Sequence, residues 1–262
     1  MKNWIKKISI VCMALIMVVG VTACGSSDSG SGDSGEVYTV ATEPTFPPFD
    51  TTDEDGNIVG FDMDLMNAIA EDQGFSVEFV SYNFDGLIPA LQSGNADIVA
   101  AGMWASDERK AEVDFSETYF DSGVVLAVAD DNNTINSVDD LTSDMKVAYQ
   151  VGTSSMDVAQ QLEEEGKIAE AVGFDKVNDA VQAVNTGEVD ALLNDKPVTL
   201  EYMNQQPDII KIVGENVTTE SYGIAVKKGN TELLDKINAG LKNVQEDGTF
   251  DELLEKWGLA EK

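Results

Sequence analysis

The stretch AAGMWASDERKAEVDF, residues 100–115, holds Arg109, the only arginine of the chain. Every other basic residue is a lysine, against 48 acidic residues. A guanidinium presents a planar fork of N–H donors that matches a carboxylate in two parallel hydrogen bonds, whereas an ammonium is a point charge. A lone guanidinium at this place raises the question of what it binds. The plainest answer is a surface ion pair with Glu108 or Glu112. The chemistry that is missing narrows the field further. The chain has no histidine, which removes the commonest general base and the commonest metal ligand. Its two cysteines are Cys12 and Cys24, so everything after residue 24 lacks a disulfide, a thiolate nucleophile and a cysteine metal site. No HExxH, GxGxxG or GxxxxGK[ST] pattern occurs. The acidic loop DTTDEDGNIVGFD fails as a calcium loop. Aligned on Gly56, its first ligand position is Thr51 and its last is Asp62. The Asp-Gly step before Asn57 predicts a tight hairpin turn instead. These residues point to binding without metal or cofactor rather than to catalysis.

The elements that must position Arg109 follow from the hydrophobic pattern. The first residues, MKNWIKKISIVCMALIMVVGVTAC, run from a basic start through an apolar stretch to small residues before Cys24. That is a secretory signal over residues 1–23, and its apolar run is shorter than the roughly 18 to 20 residues of a spanning helix. GSSDSGSGDSG then reads as a flexible tether within residues 24–35. The whole chain carries a formal charge of −32, and removing the signal segment leaves 13 basic against 48 acidic residues. Such a surface repels nucleic acid and anionic headgroups and enriches cations nearby.

From residue 37 onward strand-like and helix-like segments alternate. VYTVAT, FSVEFVSY, ADIVAAG, GVVLAVAD, MKVAYQ, EVDALLND and ESYGIAVKKG read as strands. FDMDLMNAIAEDQ, a short FDGLIPALQS, SDERKAEVDF with Ser106 as N-cap, TSSMDVAQQLEEE, FDKVNDAVQAVN, KPVTLEYMNQQ with Pro197 in its first turn, and two closing segments read as helices. The alternation predicts an α/β body with mainly parallel sheets. LIPALQSGNADIVAAG and AVQAVNTGEVDALLND share one plan: helix, glycine turn, acid, apolar strand. Two similar lobes are expected from this recurrence.

In AGMWASDERKAEVDFSETYFDSG, and in GFDMDLMNAIAEDQGF, FDGLIPALQSGNADIV, VGTSS, ALLNDKP, YGIAVKKG and LKNVQEDGTFDELLEKW, the chain resembles the polar amino-acid-binding proteins of ABC importers. The matches run in order from about Val37 to Trp257. VTAC before Gly25 also resembles the lipobox of bacterial lipoproteins, which implies lipidation of Cys24 and an extracytoplasmic protein anchored to the cell membrane. The resemblance implies a two-lobe, type II periplasmic-binding-protein fold, two α/β lobes joined by a two-strand hinge. Lobe 1 would be residues 36–127 plus 224–262, and lobe 2 residues 128–223. The chain would cross between them near Ala127–Ala129 and near Tyr222–Ile224.

The same resemblance implies roles by position. Arg109 would clamp the ligand carboxylate, joined by backbone N–H groups of Thr153 and Ser154 at a helix N-terminus. Asp195 would bind the ammonium, unless it serves only as an N-cap, and the Gly102 carbonyl would accept from the same group. Phe46 and Phe84 would sandwich the side chain, and Glu43 would touch its far end. Trp104 stands where the family usually carries Thr or Ser. It either forms a third wall or points into the lobe core. Gln150 and Asn194 would add polar contacts. The function implied is capture of a free L-amino acid by a monomeric protein that hands it to an ABC permease. Two other readings carry less support. One is a cyclohexadienyl dehydratase-like enzyme with Glu43 as acid. The other is a sensor, although no second membrane segment or output domain is read after the body.

Overall fold

The computed structural model describes residues 35–260. The expected signal segment, Cys24 and nearly all of the tether lie outside the described residues. β1 (Val37–Thr42) leads into a small antiparallel hairpin, β2 (Thr51–Thr52) and β3 (Ile58–Val59). The Asp53 carboxylate accepts the N–H groups of Asp55 and Asn57, so the acidic loop is a self-capped turn, as its Asp-Gly step predicts. α1 (Phe61–Gln73) buries Leu65, Met66, Ile69 and Ala70. β4 (Ser76–Ser81) follows, then a single turn of 3₁₀ helix leading into α2 (Leu87–Ser93), and β5 (Ile98–Val99). α3 (Asp107–Glu112) is capped by Ser106, whose Oγ accepts the Arg109 N–H at 3.2 Å. Its expected continuation is instead a strand, β6 (Val113–Phe115).

β7 (Phe120–Ser122) and β8 (Val124–Ala129) come next. Then follow β9 (Lys146–Gln150), α4 (Ser154–Glu164), β10 (Glu170–Phe174), α5 (Val177–Asn185), β11 (Ala191–Asp195) and α6 (Lys196–Gln205). β12 (Ile210–Val213), β13 (Glu220–Tyr222), β14 (Ala225–Lys227), α7 (Thr231–Glu246) and α8 (Thr249–Lys256) complete the described chain.

Two five-stranded sheets result, in the orders β4-β1-β5-β14-β6 and β10-β9-β11-β8-β12. Each begins with three parallel strands and ends with two antiparallel pairings. The expected mainly parallel sheets are thus mixed ones. The reason is the chain path: β14 returns to the first sheet and β8 enters the second, and each runs against its parallel half.

β7 and β13 pair antiparallel in a ribbon of their own between the sheets. β8 lies wholly in the second sheet, between β11 and β12. The first crossing is therefore at residues 120–122, not near Ala127–Ala129 as the sequence suggested. ESYGIAVKKG is likewise not one strand. It breaks after Tyr222, where the Gly223 N–H bonds the Met103 carbonyl and the Ile224 N–H bonds Ser116 Oγ.

The recurrent segments use one device twice. In the first sheet Asp97 ties β5 to β1, its Oδ2 accepting the Thr39 N–H at 2.9 Å and its N–H donating to the Thr39 carbonyl. In the second, Asp190 makes the same two bonds with Lys146, ahead of β11. The acid after the glycine turn is thus a strand clamp, which explains its place in both segments.

The crossing is packed with aromatic rings. Fully buried Tyr222 lies within 6.5 Å, centroid to centroid, of Phe46, Phe49, Tyr119 and Phe120. Such pairs each add roughly 0.5–1.5 kcal/mol beyond area burial, so the two crossing strands have a firm footing.

Candidate site at the junction of the lobes

Nine residues line one small cavity where the two sheets face each other: Phe46, Phe84, Gly102, Trp104, Arg109, Thr153, Ser154, Asp195 and Glu220. Eight of these are expected from the sequence; Glu220 is not.

Arg109 reaches the cavity from the first turn of α3. Nη1 donates to the Trp104 carbonyl at 3.0 Å and Nη2 to the Gly152 carbonyl at 2.9 Å. The guanidinium lies over the Phe84 ring, 5.3 Å from its centroid, a cation–π contact that fixes its plane. It forms no salt bridge among the described residues, so the expected alternatives Glu108 and Glu112 do not hold it. Burial lowers its pKa, against the opposing pull of Glu220, Asp195, Asp157 and Glu108.

Gly102 follows β5 with φ +52, and a Cβ there would come within 2.6 Å of Phe46 Cε1. Only glycine fits both demands. Its N–H donates to Asp62 Oδ2 at 2.7 Å, and Tyr119 OH donates to Asp62 Oδ1 at 2.8 Å. Asp62 is fully enclosed, and burial pushes its pKa up to about 7 in spite of these two bonds. Trp104 is half-buried, lines the cavity and bridges to Tyr222. Of the two expectations for it, the structure places it as a wall.

From the second sheet, α4 presents its N-terminus. Thr153 is the N-cap residue, yet no side chain caps this helix; the Thr153 hydroxyl donates instead to the Gln150 carbonyl at 2.8 Å. The first-turn N–H groups thus keep the partial positive charge of a helix start facing the cavity. Asp195 ends β11 and precedes Pro197. Its side chain makes no capping bond to α6; it accepts a short hydrogen bond from Tyr222 OH. Burial, then the neighbouring Glu220, push its pKa up to about 7, while the Tyr222 bond and Arg109 act the other way.

Three expected residues do not line the cavity. Asn194 donates to Thr199 Oγ1 at 3.1 Å; as the neighbour of Asp195 on a strand it points to the opposite face. Glu43 and Gln150 meet each other across the junction, Gln150 Nε2 donating to Glu43 Oε2 at 3.0 Å. Thr45 Oγ1 donates to both Glu43 oxygens at 2.9 Å. Burial raises the Glu43 pKa, opposed by the bonds from Gln150 and Thr45 and by Lys176. The missed residue, Glu220, carried a readable signal: it lies two positions before Tyr222 in a strand, hence on the same buried face.

The two halves are in contact here. Besides the Arg109 and Gln150 bonds, Tyr202 OH donates to the Thr45 carbonyl at 2.9 Å. A Cβ on Gly152, whose φ is +82, would sit 3.0 Å from Asp85 Cα.

Residues 38–260 match the family model for bacterial extracellular solute-binding proteins, family 3. A probable histidine-binding protein of Neisseria gonorrhoeae is 35% identical over 271 residues, covering 100% of this chain and 97% of its own length. An ancestral arginine-binding protein bound to arginine is 45% identical with a TM-score of 0.81, over 86% of this chain and 99% of that one. An ancestral arginine-binding protein bound to glutamine is 45% identical with a TM-score of 0.80, over 86% of this chain and 98% of that one.

Proposed function

This chain belongs to the bacterial extracellular solute-binding proteins, family 3, and on that footing we propose that it captures a free L-α-amino acid between its lobes and delivers it to an ABC importer permease. The observation that carries this reading is the convergence of Arg109, the uncapped N-terminus of α4 and Asp195 on one cavity. An α-amino acid offers a carboxylate and an ammonium on one carbon. Arg109 and the first-turn N–H groups of α4, at Thr153 and Ser154, take the carboxylate; Asp195 and the Gly102 carbonyl take the ammonium. Phe46, Phe84 and Trp104 enclose the side chain.

Glu43 is 2% exposed and forms no salt bridge among the described residues. A buried carboxylate without a cation is costly, so a ligand whose side chain ends in a cation gains most by reaching it. Gln150 Nε2 then exchanges its bond to Glu43 for one to ligand or water. Because the site draws on both lobes, the ligand stabilises the closed arrangement, which the permease reads. β7 and β13 serve as the hinge, with lobe 1 formed around the first sheet and lobe 2 around the second.

The chain acts as a binder, not an enzyme, like the binding proteins it is similar to. It works outside the cytoplasm as a monomer, with residues 1–23 as its signal segment. A diacyl anchor at Cys24, set on the glycine- and serine-rich tether, accounts for the VTAC sequence.

Calorimetric titration of the purified protein with each proteinogenic amino acid, after unfolding and refolding to strip carried ligand, tests the reading. One-to-one binding of a small set of amino acids is expected, tightest for arginine or lysine. Absence of binding across the whole set contradicts it.

A further inference from the structure

We propose that Tyr202 and Thr45 form a clasp that holds the two lobes together whatever side chain the ligand carries, and that this clasp sets how long a bound amino acid is retained. The proposal rests on the amino-acid-binding reading above and adds to it two positioning residues that touch no ligand.

Thr45 lies in the loop after β1, beside the first sheet, and Tyr202 lies on α6, beside the second. Neither lines the cavity. Tyr202 OH donates to the Thr45 carbonyl at 2.9 Å, and the Val177 N–H, at the start of α5, donates to Thr45 Oγ1 at 3.4 Å. Thr45 is thus held at two atoms by two helices of the opposite lobe.

Both sides of the clasp are fixed in place by their own surroundings. The Thr45 N–H donates to the Glu43 carbonyl at 2.8 Å, and the Thr45 hydroxyl donates to the Glu43 carboxylate. The Glu43 N–H donates to Asp50 Oδ2 at 3.0 Å, and Asp50 is fully buried. Phe46 and Asp50 bridge through their backbones and close the loop. On the other side Tyr202 is 5% exposed and belongs to the same apolar cluster as Val177, Val181 and Val198. A hydrogen bond between groups already ordered loses little side-chain entropy when it forms.

The other hydrogen bonds across the junction involve residues that the ligand engages. Arg109 reaches the Gly152 carbonyl, but in the proposed complex it also takes the ligand carboxylate. Gln150 bonds Glu43, and a cationic side chain displaces that bond. Tyr222 bonds Asp195, which takes the ammonium. The two bonds to Thr45 touch neither charged end of the amino acid and persist when the cavity fills. They are lost when the lobes part, so they stabilise the closed arrangement against the open one. A ligand enters while the lobes are apart and leaves only after they separate. The clasp therefore slows dissociation and leaves association and ligand preference unchanged.

The test is stopped-flow binding of L-arginine and of L-glutamine to the purified wild type and to Tyr202→Phe, which keeps the ring and deletes the hydroxyl. Tryptophan fluorescence serves as the signal, since Trp104 lines the cavity. For each of the two that binds, dissociation should speed up about three- to tenfold, the worth of one hydrogen bond. Association should stay the same, so that affinity falls by one common factor. An unchanged dissociation rate in Tyr202→Phe overturns the clasp. So does a loss confined to one of two bound amino acids, or one carried by the association rate. Failure of the wild type to bind these or any other amino acid overturns the reading on which the clasp rests, and the clasp with it.

Discussion

Arg109 uses two of its N–H groups on carbonyls, one from each lobe, so the proposed clamp is oriented before a ligand arrives. That preorganisation is what a lysine at the same place lacks. Glu43 is the counterpart proposed for the side-chain end. If its carboxylate selects a cationic side chain, Glu43→Gln weakens arginine binding by roughly tenfold or more and changes glutamine affinity little, as a charge-assisted bond is lost in one case only. Paired dissociation constants for the two ligands check this; a uniform loss for both would assign Glu43 to structure alone. At this scale eight of the nine residues that line the cavity were legible. Arg109, Gly102, Thr153, Ser154 and Asp195 sit in short motifs whose residue types carry their chemistry locally. Asn194 was misplaced because a strand turns adjacent side chains to opposite faces, so it and Asp195 could not both face the cavity. Glu220 went unread because ESYGIAVKKG looked like one continuous strand, which hid the break after Tyr222.

At the level of elements, α1 and the loop after β5 are bound together through Asp62, which accepts from Gly102 and Tyr119. This buried carboxylate fixes the left-handed Gly102 that the ammonium would meet. Its pKa is pushed from 3.8 up to about 7 by burial. The folded protein thus holds a proton that the unfolded chain releases above about pH 4. The stability tied to Asp62 is full below that value and is lost as pH rises to about 7. Thermal melting followed across this range should show a fall in stability with rising pH, shallower in Asp62→Asn because Asp50 and Asp195 still contribute. An identical slope in the variant would contradict the assignment. The helices and most strands were readable from apolar spacing and glycine stops. β10 and β12 were not, since both are only partly apolar and sit at sheet edges. The antiparallel half of each sheet was also hidden, because strand direction depends on where the chain crosses, not on local pattern.

Across the whole molecule the decisive feature is that two units built on one plan meet at a hinge. The paired clamps at Asp97 and Asp190 show the shared plan, which the recurrence of helix, glycine turn, acid and strand already signalled. The crossings were legible only within a few residues: GVVLAVAD is apolar throughout, so nothing in its pattern marks which sheet it joins. Gly152 stands against Asp85 with no room for a side chain, and in the proposed complex the ligand's two charged ends are shared between lobes. The central claim is that Arg109 holds a carboxylate at this junction. Its most direct measurement compares the dissociation constants of the best-bound amino acid and its α-carboxamide, in the wild-type protein and in Arg109→Ala. The wild type should lose roughly 100-fold for the carboxamide, the worth of a bidentate charged pair, while Arg109→Ala should bind both weakly and nearly alike. Equal affinity of the wild type for the acid and the carboxamide would contradict the account.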